Sequence, residues 1–266
     1  MKTLIFVWTQ NFYNDVDKTK FCGFGDMLRG TVGALRYCEE RDYECIIDIT
    51  LHPVSQFFSH KPHRFSQLIQ DNKNNIKLIS QYSTVKDIDA EFEGKDLIFF
   101  FSNFDGDCLE KPASQSIKER VRCILTPNEY LESYISTIKQ KIPCSRFAVL
   151  HFRVGDHCFM IKEHNNEYSK YLALIQSINI IDNRVKLLLM SDSAKLKVLS
   201  KDIIFSLDGP TGHIGFETDI ERLKHTIAEF FILQEACFIF THSVYPWTSG
   251  FVKIINYIYD VHLLDI

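Results

Sequence analysis

The sequence predicts an α/β protein of two successive parallel-sheet domains, and three observations carry that prediction. Short apolar runs alternate with segments of helical periodicity along the whole chain. Several of those runs end abruptly in polar residues where a helix begins, and the alternation restarts after a proline-bearing stretch at 139–145. With 266 residues, 45% of them hydrophobic and 24% charged, the chain has material for one large core or two modest ones, and its length favours two.

The first strand is read in the segment Met1–Trp8, whose apolar stretch is too short for the roughly seven to fifteen residues of a secretory signal. A polar loop leads to Gly23-Phe24-Gly25-Asp26, and Met27, Leu28, Val32, Leu35 and Arg36 then follow at helical spacing. Cys45–Ile49 is a second short apolar strand, so the opening segment reads as one βαβ unit with parallel strands. Residues 52–96 are more polar and read as irregular. A strand at Leu97–Phe101 and helices near Ser114–Leu125 and Pro127–Gln140 complete the first half.

Lys139–Ser145 reads as the interdomain hinge, giving domains at 1–143 and 144–266. In the second half, strands are expected at Phe147–Leu150, Val185–Met190, Ile203–Phe205 and Cys237–Thr241. Helices are expected near Glu167–Ser177, Asp219–Gln234 and Trp247–Tyr257. Two α/β units of similar size predict two facing Rossmann-like domains with a central cleft.

Composition excludes several classes. Lys and Arg total 30 against 34 Asp and Glu, so there is no broad cationic surface for nucleic acid. No run of about eighteen apolar residues is present, so no membrane span is expected. The eight cysteines form no C-x-x-C pair, which disfavours structural zinc and fits reduced thiols in a cytosolic compartment. His52, His60, His63 and His157 lack metal-ligand spacing, and Asp87-Ile88-Asp89 and Asp105-Gly106-Asp107 match only the bare form of a metal-holding pair. A metal-independent site is expected.

Four motifs carry the chemistry. In Leu150-His151-Phe152-Arg153-Val154-Gly155-Asp156, polar side chains crowd the carboxyl end of a buried strand, where an anionic ligand meets a parallel sheet. Arg153 would grip a diphosphate through its planar fork of donors, His151 would hydrogen-bond a base or sugar, and Asp156 would orient Arg153 or take a proton; a surface turn with a local Arg–Asp pair is the other account. In Gly23-Phe24-Gly25-Asp26, glycines admit a close backbone approach ahead of a helix; a plain turn capped by Asp26 reads equally well. Leu28 replaces the third glycine of the dinucleotide fingerprint, which disfavours NAD. Ser191-Asp192-Ser193 repeats the strand-end pattern and would contact ribose or base, or cap the next helix. Thr248-Ser249-Gly250-Phe251 opens a helix where a phosphate would sit, with ordinary capping as the other account.

At these motifs the chain resembles the fucosyltransferase superfamily, which includes the α1,2-, α1,6- and protein O-fucosyltransferases and has a GT-B fold of two facing Rossmann-like domains. His151-Phe152-Arg153-Val154-Gly155-Asp156 looks like that group's H-x-R-x-G-D signature, and Gly23-Phe24-Gly25-Asp26-Met27-Leu28-Arg29 looks like its first-domain glycine loop. Ser191-Asp192-Ser193 and Thr248–Phe251 match its later donor-site motifs more loosely. The resemblance implies a GDP-sugar donor, GDP-fucose first, with no further cofactor, and inverting transfer to a glycan hydroxyl. It places Arg153 on the diphosphate, His151 and Asp192 near the nucleoside, and Ser249 on a second phosphate contact. The catalytic base is left open between Asp26 and Asp156, because Ile161 stands where the α1,6 group has a glutamate and Glu163 is out of register. Val154 occupies a position where related enzymes often carry a second arginine, which leaves the sugar open.

The sequence shows no stem or anchor of the Golgi type, so a soluble cytoplasmic enzyme of bacterial or viral type is expected. Two other readings stand beside it: a non-catalytic nucleotide-sugar or glycan-binding protein on the same fold, and an epimerase-like enzyme, which would need a dinucleotide fingerprint that the first half lacks.

Overall fold

The computed structural model describes residues 2–8, 23–50, 52–60, 76–79, 88, 93–100, 109–155, 168–181, 185–210, 212–214 and 219–266. The chain divides into two compact units, Met1–Asn128 with Ile214–Phe216, and Glu129–His213 with Glu217–Ile266.

In the first unit, strands β1 (Thr3–Val7), β2 (Glu44–Asp48), β3 (Ile76–Ile79) and β4 (Leu97–Phe100) form a parallel sheet in the order β2-β1-β4-β3. β1 is an inner strand and apolar from Leu4 onward, and Leu4, Ile5, Phe6 and Val7 are all buried. Helix α1 (Phe24–Arg41) joins β1 to β2, with Met27, Leu28, Val32 and Leu35 buried along one stripe. It stops at Asp42, whose backbone is left-handed at φ 56° and whose N–H bonds Cys38 O. The expected βαβ unit is therefore present, with Thr3 opposite Glu44 and Val7 opposite Asp48. Helix α2 (Gln115–Ile124) is capped by the Ser114 hydroxyl, which accepts from Ile117 N.

One expectation for this half needs correction. The 52–96 stretch is not irregular throughout: it contains β3 and a 3₁₀ turn, Pro53–Phe57. Ile76-Lys77-Leu78-Ile79 is four residues long among polar neighbours, too short a window for period-two alternation to stand out.

The second unit holds β5 (Phe147–Arg153), β6 (Lys186–Ser191), β7 (Phe205–Ser206), β8 (Phe238–Ser243) and β9 (His262–Asp265), all parallel in the order β7-β6-β5-β8-β9. The order runs outward from β5 to β7 and then restarts on the other side with β8, so the sheet reverses between β5 and β8. Its helices are α3 (Glu129–Lys139), α4 (Tyr168–Ile181), α5 (Ala194–Leu199), α6 (Ile220–Leu233) and α7 (Gly250–Tyr259). The division between units falls ahead of Glu129, so α3 and the proline-bearing stretch at 139–145 both count with the second unit. β9 was not anticipated. It follows a left-handed residue, Asp260 at φ 59°, and lies at the sheet edge with only Leu263 and Leu264 apolar, a pattern too brief to read as a strand.

Candidate functional site

The carboxyl end of β5 is built by period-two alternation. Leu150, Phe152 and Val154 enter a core with Tyr168, Tyr171 and Leu189, which sends His151 and Arg153 to the opposite face. Strand register sets Arg153 opposite Ser243 of β8 and Phe152 opposite Ser191 of β6, so three strands end at one edge beside the reversal. Asp192, directly after β6, receives the end of β5. Its Oδ2 lies 2.9 Å from Arg153 Nη1 and 3.1 Å from Gly155 N, and its Oδ1 accepts from Val154 N at 2.7 Å. Gly155 has φ 115°, a backbone state that side chains other than glycine's rarely adopt, so the glycine is what lets its N–H turn back to Asp192. The arrangement fixes a guanidinium at the sheet edge in a defined pose.

His151 is 7% exposed. Its ring stacks on Phe251 of α7, with centroids 6.4 Å apart at 20°, and Nδ1 lies 3.4 Å from Thr241 Oγ1. Burial, helped by the Arg153 charge, pushes its pKa down to about 4, so the imidazole is neutral near pH 7. A neutral imidazole offers one donor and one acceptor rather than a second cation beside Arg153.

The Phe251 contact also brings the start of α7 to this edge. Ser249 occupies the N-cap position, yet its side chain makes no capping bond, and no acidic residue lies in the first turn. Helix amides there are suited to an anion. The β8–α7 loop is tied down by Val244 N donating to Arg153 O at 3.0 Å and Thr248 Oγ1 donating to Asp265 Oδ1 at 3.0 Å.

Other sequence-derived candidates take different places. Ser193 is buried and caps α5 by accepting from Leu196 N at 3.2 Å, while its hydroxyl also meets Tyr168 OH at 3.0 Å. Its side chain thus serves the helix start. Asp192 is occupied by the end of β5. In the first unit, α1 begins at Phe24 with Gly23 as N-cap, so Gly25 and Asp26 are already helical and Asp26 is not the cap. Phe24 is a core side chain, stacked on Phe58 at 8° and edge-on to Trp8. Asp26 forms an ion pair with Arg29 one helical turn on. Asp156, His157, Ile161 and Glu163 lie outside the described residues, as do His63 and the Asp87/Asp89 and Asp105/Asp107 pairs. Among the described residues, no group of three or more His, Cys, Asp or Glu is placed to hold a metal ion, and no helix is long and apolar enough to cross a membrane.

One polar cluster was not read from the sequence. Lys197 of α5 and Glu229 of α6 form a buried ion pair at 2.7 Å, His225 Nε2 stands 3.5 Å from the same carboxylate, and Tyr134 OH meets His225 Nδ1 at 3.1 Å. Burial alone would raise the Glu229 carboxyl, but Lys197 and His225 outweigh it and hold the pKa at about 2. The available signal was a glutamate interrupting the apolar run Ile227–Leu233 of α6, with His225 one helical turn back on the same face.

No family model matches the sequence, and no curated protein matches it. Solved structures do. The fucosyltransferase NodZ from Bradyrhizobium aligns with a TM-score of 0.59 at 13% identity, covering 96% of this chain and 92% of that one. POFUT1 in complex with GDP-fucose aligns at 0.54 and 10% identity, covering 99% and 98%. A mutant of Arabidopsis thaliana FUT1 in complex with GDP aligns at 0.55 and 10%, covering 99% of this chain and 70% of that one. The chain has a fucosyltransferase-like fold. An α/β architecture with all-parallel sheets, expected from the alternation of elements, is what the structure contains.

Proposed function

We propose that this protein is an inverting, metal-independent glycosyltransferase that takes a GDP-sugar, GDP-fucose first, and passes the sugar to a glycan hydroxyl. The observation that carries the reading is the Arg153 guanidinium, held by Asp192 at the reversal of the second sheet beside an α7 start without a side-chain cap. That grouping is suited to a nucleoside diphosphate, and the solved structures of like fold include proteins crystallised with GDP and GDP-fucose.

In this reading residues 144–266 hold the donor and residues 1–143 form the acceptor side. Arg153 neutralises charge on the departing GDP, and the α7 amides with Ser249 take a phosphate oxygen. Neutral His151 hydrogen-bonds the nucleoside or sugar without adding charge. As the sugar–phosphate bond breaks, an acceptor hydroxyl attacks the anomeric carbon and loses its proton to a carboxylate, Asp156 or Asp26. The ligand would meet the backbone at the start of α1 and not the Phe24 ring, which is in the core, while the Gly23 carbonyl accepts from Asp26 N and Met27 N. Cytoplasmic placement suits the free thiols of Cys38, Cys45, Cys123, Cys144 and Cys237.

A thermal-shift panel of GDP, UDP, ADP and GDP-fucose in EDTA tests the donor, since a ligand of the folded state raises the melting temperature. GDP and GDP-fucose are expected to raise it and Arg153→Ala to abolish the response; no response to any guanine nucleotide defeats the proposal. The Asp26–Arg29 ion pair favours one rival, a binding protein without catalysis. Hydrolysis of GDP-fucose by wild type, with loss in Asp156→Asn or Asp26→Asn, excludes that rival.

A further inference from the structure

The loop between β8 and α7 carries an aromatic pair that the donor reading leaves unused. Tyr245 and Trp247 stack with ring centroids 5.2 Å apart and planes only 7° from parallel. Trp247 is nevertheless 60% exposed, whereas the chain's other tryptophan, Trp8, is fully buried. A large flat apolar surface in water is unfavourable, and here it is also held in place. Pro246 between the two rings restricts its own φ and the conformation of Tyr245. Tyr245 N donates to Ser243 Oγ at 3.2 Å, and Thr248 is tied to Asp265 of β9. The rings are therefore presented with little conformational entropy left to lose on binding.

We infer that Tyr245 and Trp247 form a stacking platform for a pyranose ring of the glycan acceptor. The inference rests on the donor reading above and gives its second substrate a contact on the donor half, in addition to the acceptor side read at residues 1–143. The pair ends two residues before Ser249, so a sugar lying on it sits beside the phosphate seat at the α7 start. A pyranose has a flat face of C–H groups that carry slight positive charge, which matches the negative face of an aromatic ring, while its hydroxyls point outward at the ring edge. Asp265, exposed at the same rim and already accepting from Thr248, supplies a carboxylate for such hydroxyls. The nucleoside has a different place in this geometry. His151 and Phe251 are packed against α6 through the Phe230 ring on the enclosed side of the α7 start, whereas the platform faces water, from which an acceptor must arrive.

The test compares wild type with Trp247→Phe and Trp247→Ala on an array of immobilised mono- to tetrasaccharides of the common pyranoses, with and without GDP. GDP binding is followed separately by thermal shift. Because Trp247 is exposed, neither variant is expected to disturb folding, and Trp8 fluorescence reports that directly. Expected are saccharide capture by wild type and Trp247→Phe, a loss of roughly tenfold or more in Trp247→Ala, as for other ring-on-aromatic stacks, and an unchanged GDP response in all three. A bound saccharide should also shift Trp247 emission to the blue and shield it from acrylamide. Capture of no saccharide by wild type, or equal capture by Trp247→Ala, overturns the platform. Loss of the GDP response in Trp247→Ala overturns it as well, assigning the pair to the base. Trp247-dependent capture without any GDP response would uphold the platform and sink the donor reading instead.

Discussion

The Asp192 carboxylate binds Arg153 and the two amides that follow it, at 2.9 Å from the guanidinium, 2.7 Å from Val154 N and 3.1 Å from Gly155 N. One side chain from the end of β6 thereby fixes both the direction of the Arg153 charge and the course of the chain leaving β5. The side chains are 18% and 8% exposed, so the pair is only partly screened by water.

Asp192→Asn keeps the size of the side chain but removes its charge and one of its acceptors. Stability is expected to fall by about 1–3 kcal/mol, the range for breaking a charged, partly buried hydrogen-bond set. GDP affinity should fall with it, roughly tenfold, because Arg153 then adopts several poses before binding. Denaturant melts and calorimetric GDP titration measure the two effects separately. An unchanged GDP affinity would mean that Arg153 is oriented by other groups.

Gly155→Ala tests the backbone half of the same relationship. At φ 115° an alanine is strained, and strained backbone of this kind costs about 1–3 kcal/mol. The relaxation that relieves it turns the residue-155 amide away from Asp192. The variant should therefore lose stability and GDP affinity together, resembling Asp192→Asn, and a double variant should lose less than the sum of the two.

His151 gives a pH signature. Its folded-state pKa of about 4 lies below the ordinary 6.5, because burial and Arg153 both disfavour the imidazolium. The unfolded chain therefore binds more protons between pH 6.5 and 4, and stability must fall as the pH drops through that window. It is fully present above about pH 6.5. The loss amounts to about 3 kcal/mol at most, since each tenfold change in proton affinity is worth about 1.4 kcal/mol. Urea melts across pH 4–7 should show this slope in wild type and a shallower one in His151→Asn.

Legibility from sequence followed the length and regularity of each pattern. β1, α1 and β2 were readable because Leu4–Val7 is continuously apolar and Met27, Leu28, Val32 and Leu35 share one helical stripe. The polar end of β5 was readable as well, but not that His151 would be buried against Phe251 or that Arg153 would pair with Asp192. β3 and β9 were not, since four residues at a sheet edge carry too little periodicity. Individual roles were harder still. Asp192 and Ser193 read as ligand contacts or as structural groups from the sequence alone, and only the fold brings Val154 N to one and Leu196 N to the other. Phe24 read as part of a ligand loop because nothing local shows that Phe58 lies across from its ring.

The buried Lys197–Glu229 pair makes the last prediction. Its side chains are 8% and 6% exposed, and His225, fully buried, leans on the same carboxylate. Glu229→Gln strands the Lys197 charge in the interior, and the expected loss is about 3–5 kcal/mol. Lys197→Met strands Glu229 and should be equally damaging. The double variant Lys197→Met/Glu229→Leu removes both charges and should recover most of the loss, because the interaction chiefly offsets the cost of burying each partner. Since Glu229 is held at about pKa 2 against an ordinary 4.5, the wild-type pair contributes above about pH 4.5 and fades toward pH 2, and the double variant should lose that part of the acid sensitivity. The neighbouring Gly209→Ala checks the same cluster without touching a charge. A Cβ there would fall 2.1 Å from His225 Cε1, so the imidazole must leave its place between Tyr134 and Glu229. Denaturation of Gly209→Ala should show a loss of about 1–3 kcal/mol from overpacking, and a loss near zero would mean that His225 has room to move.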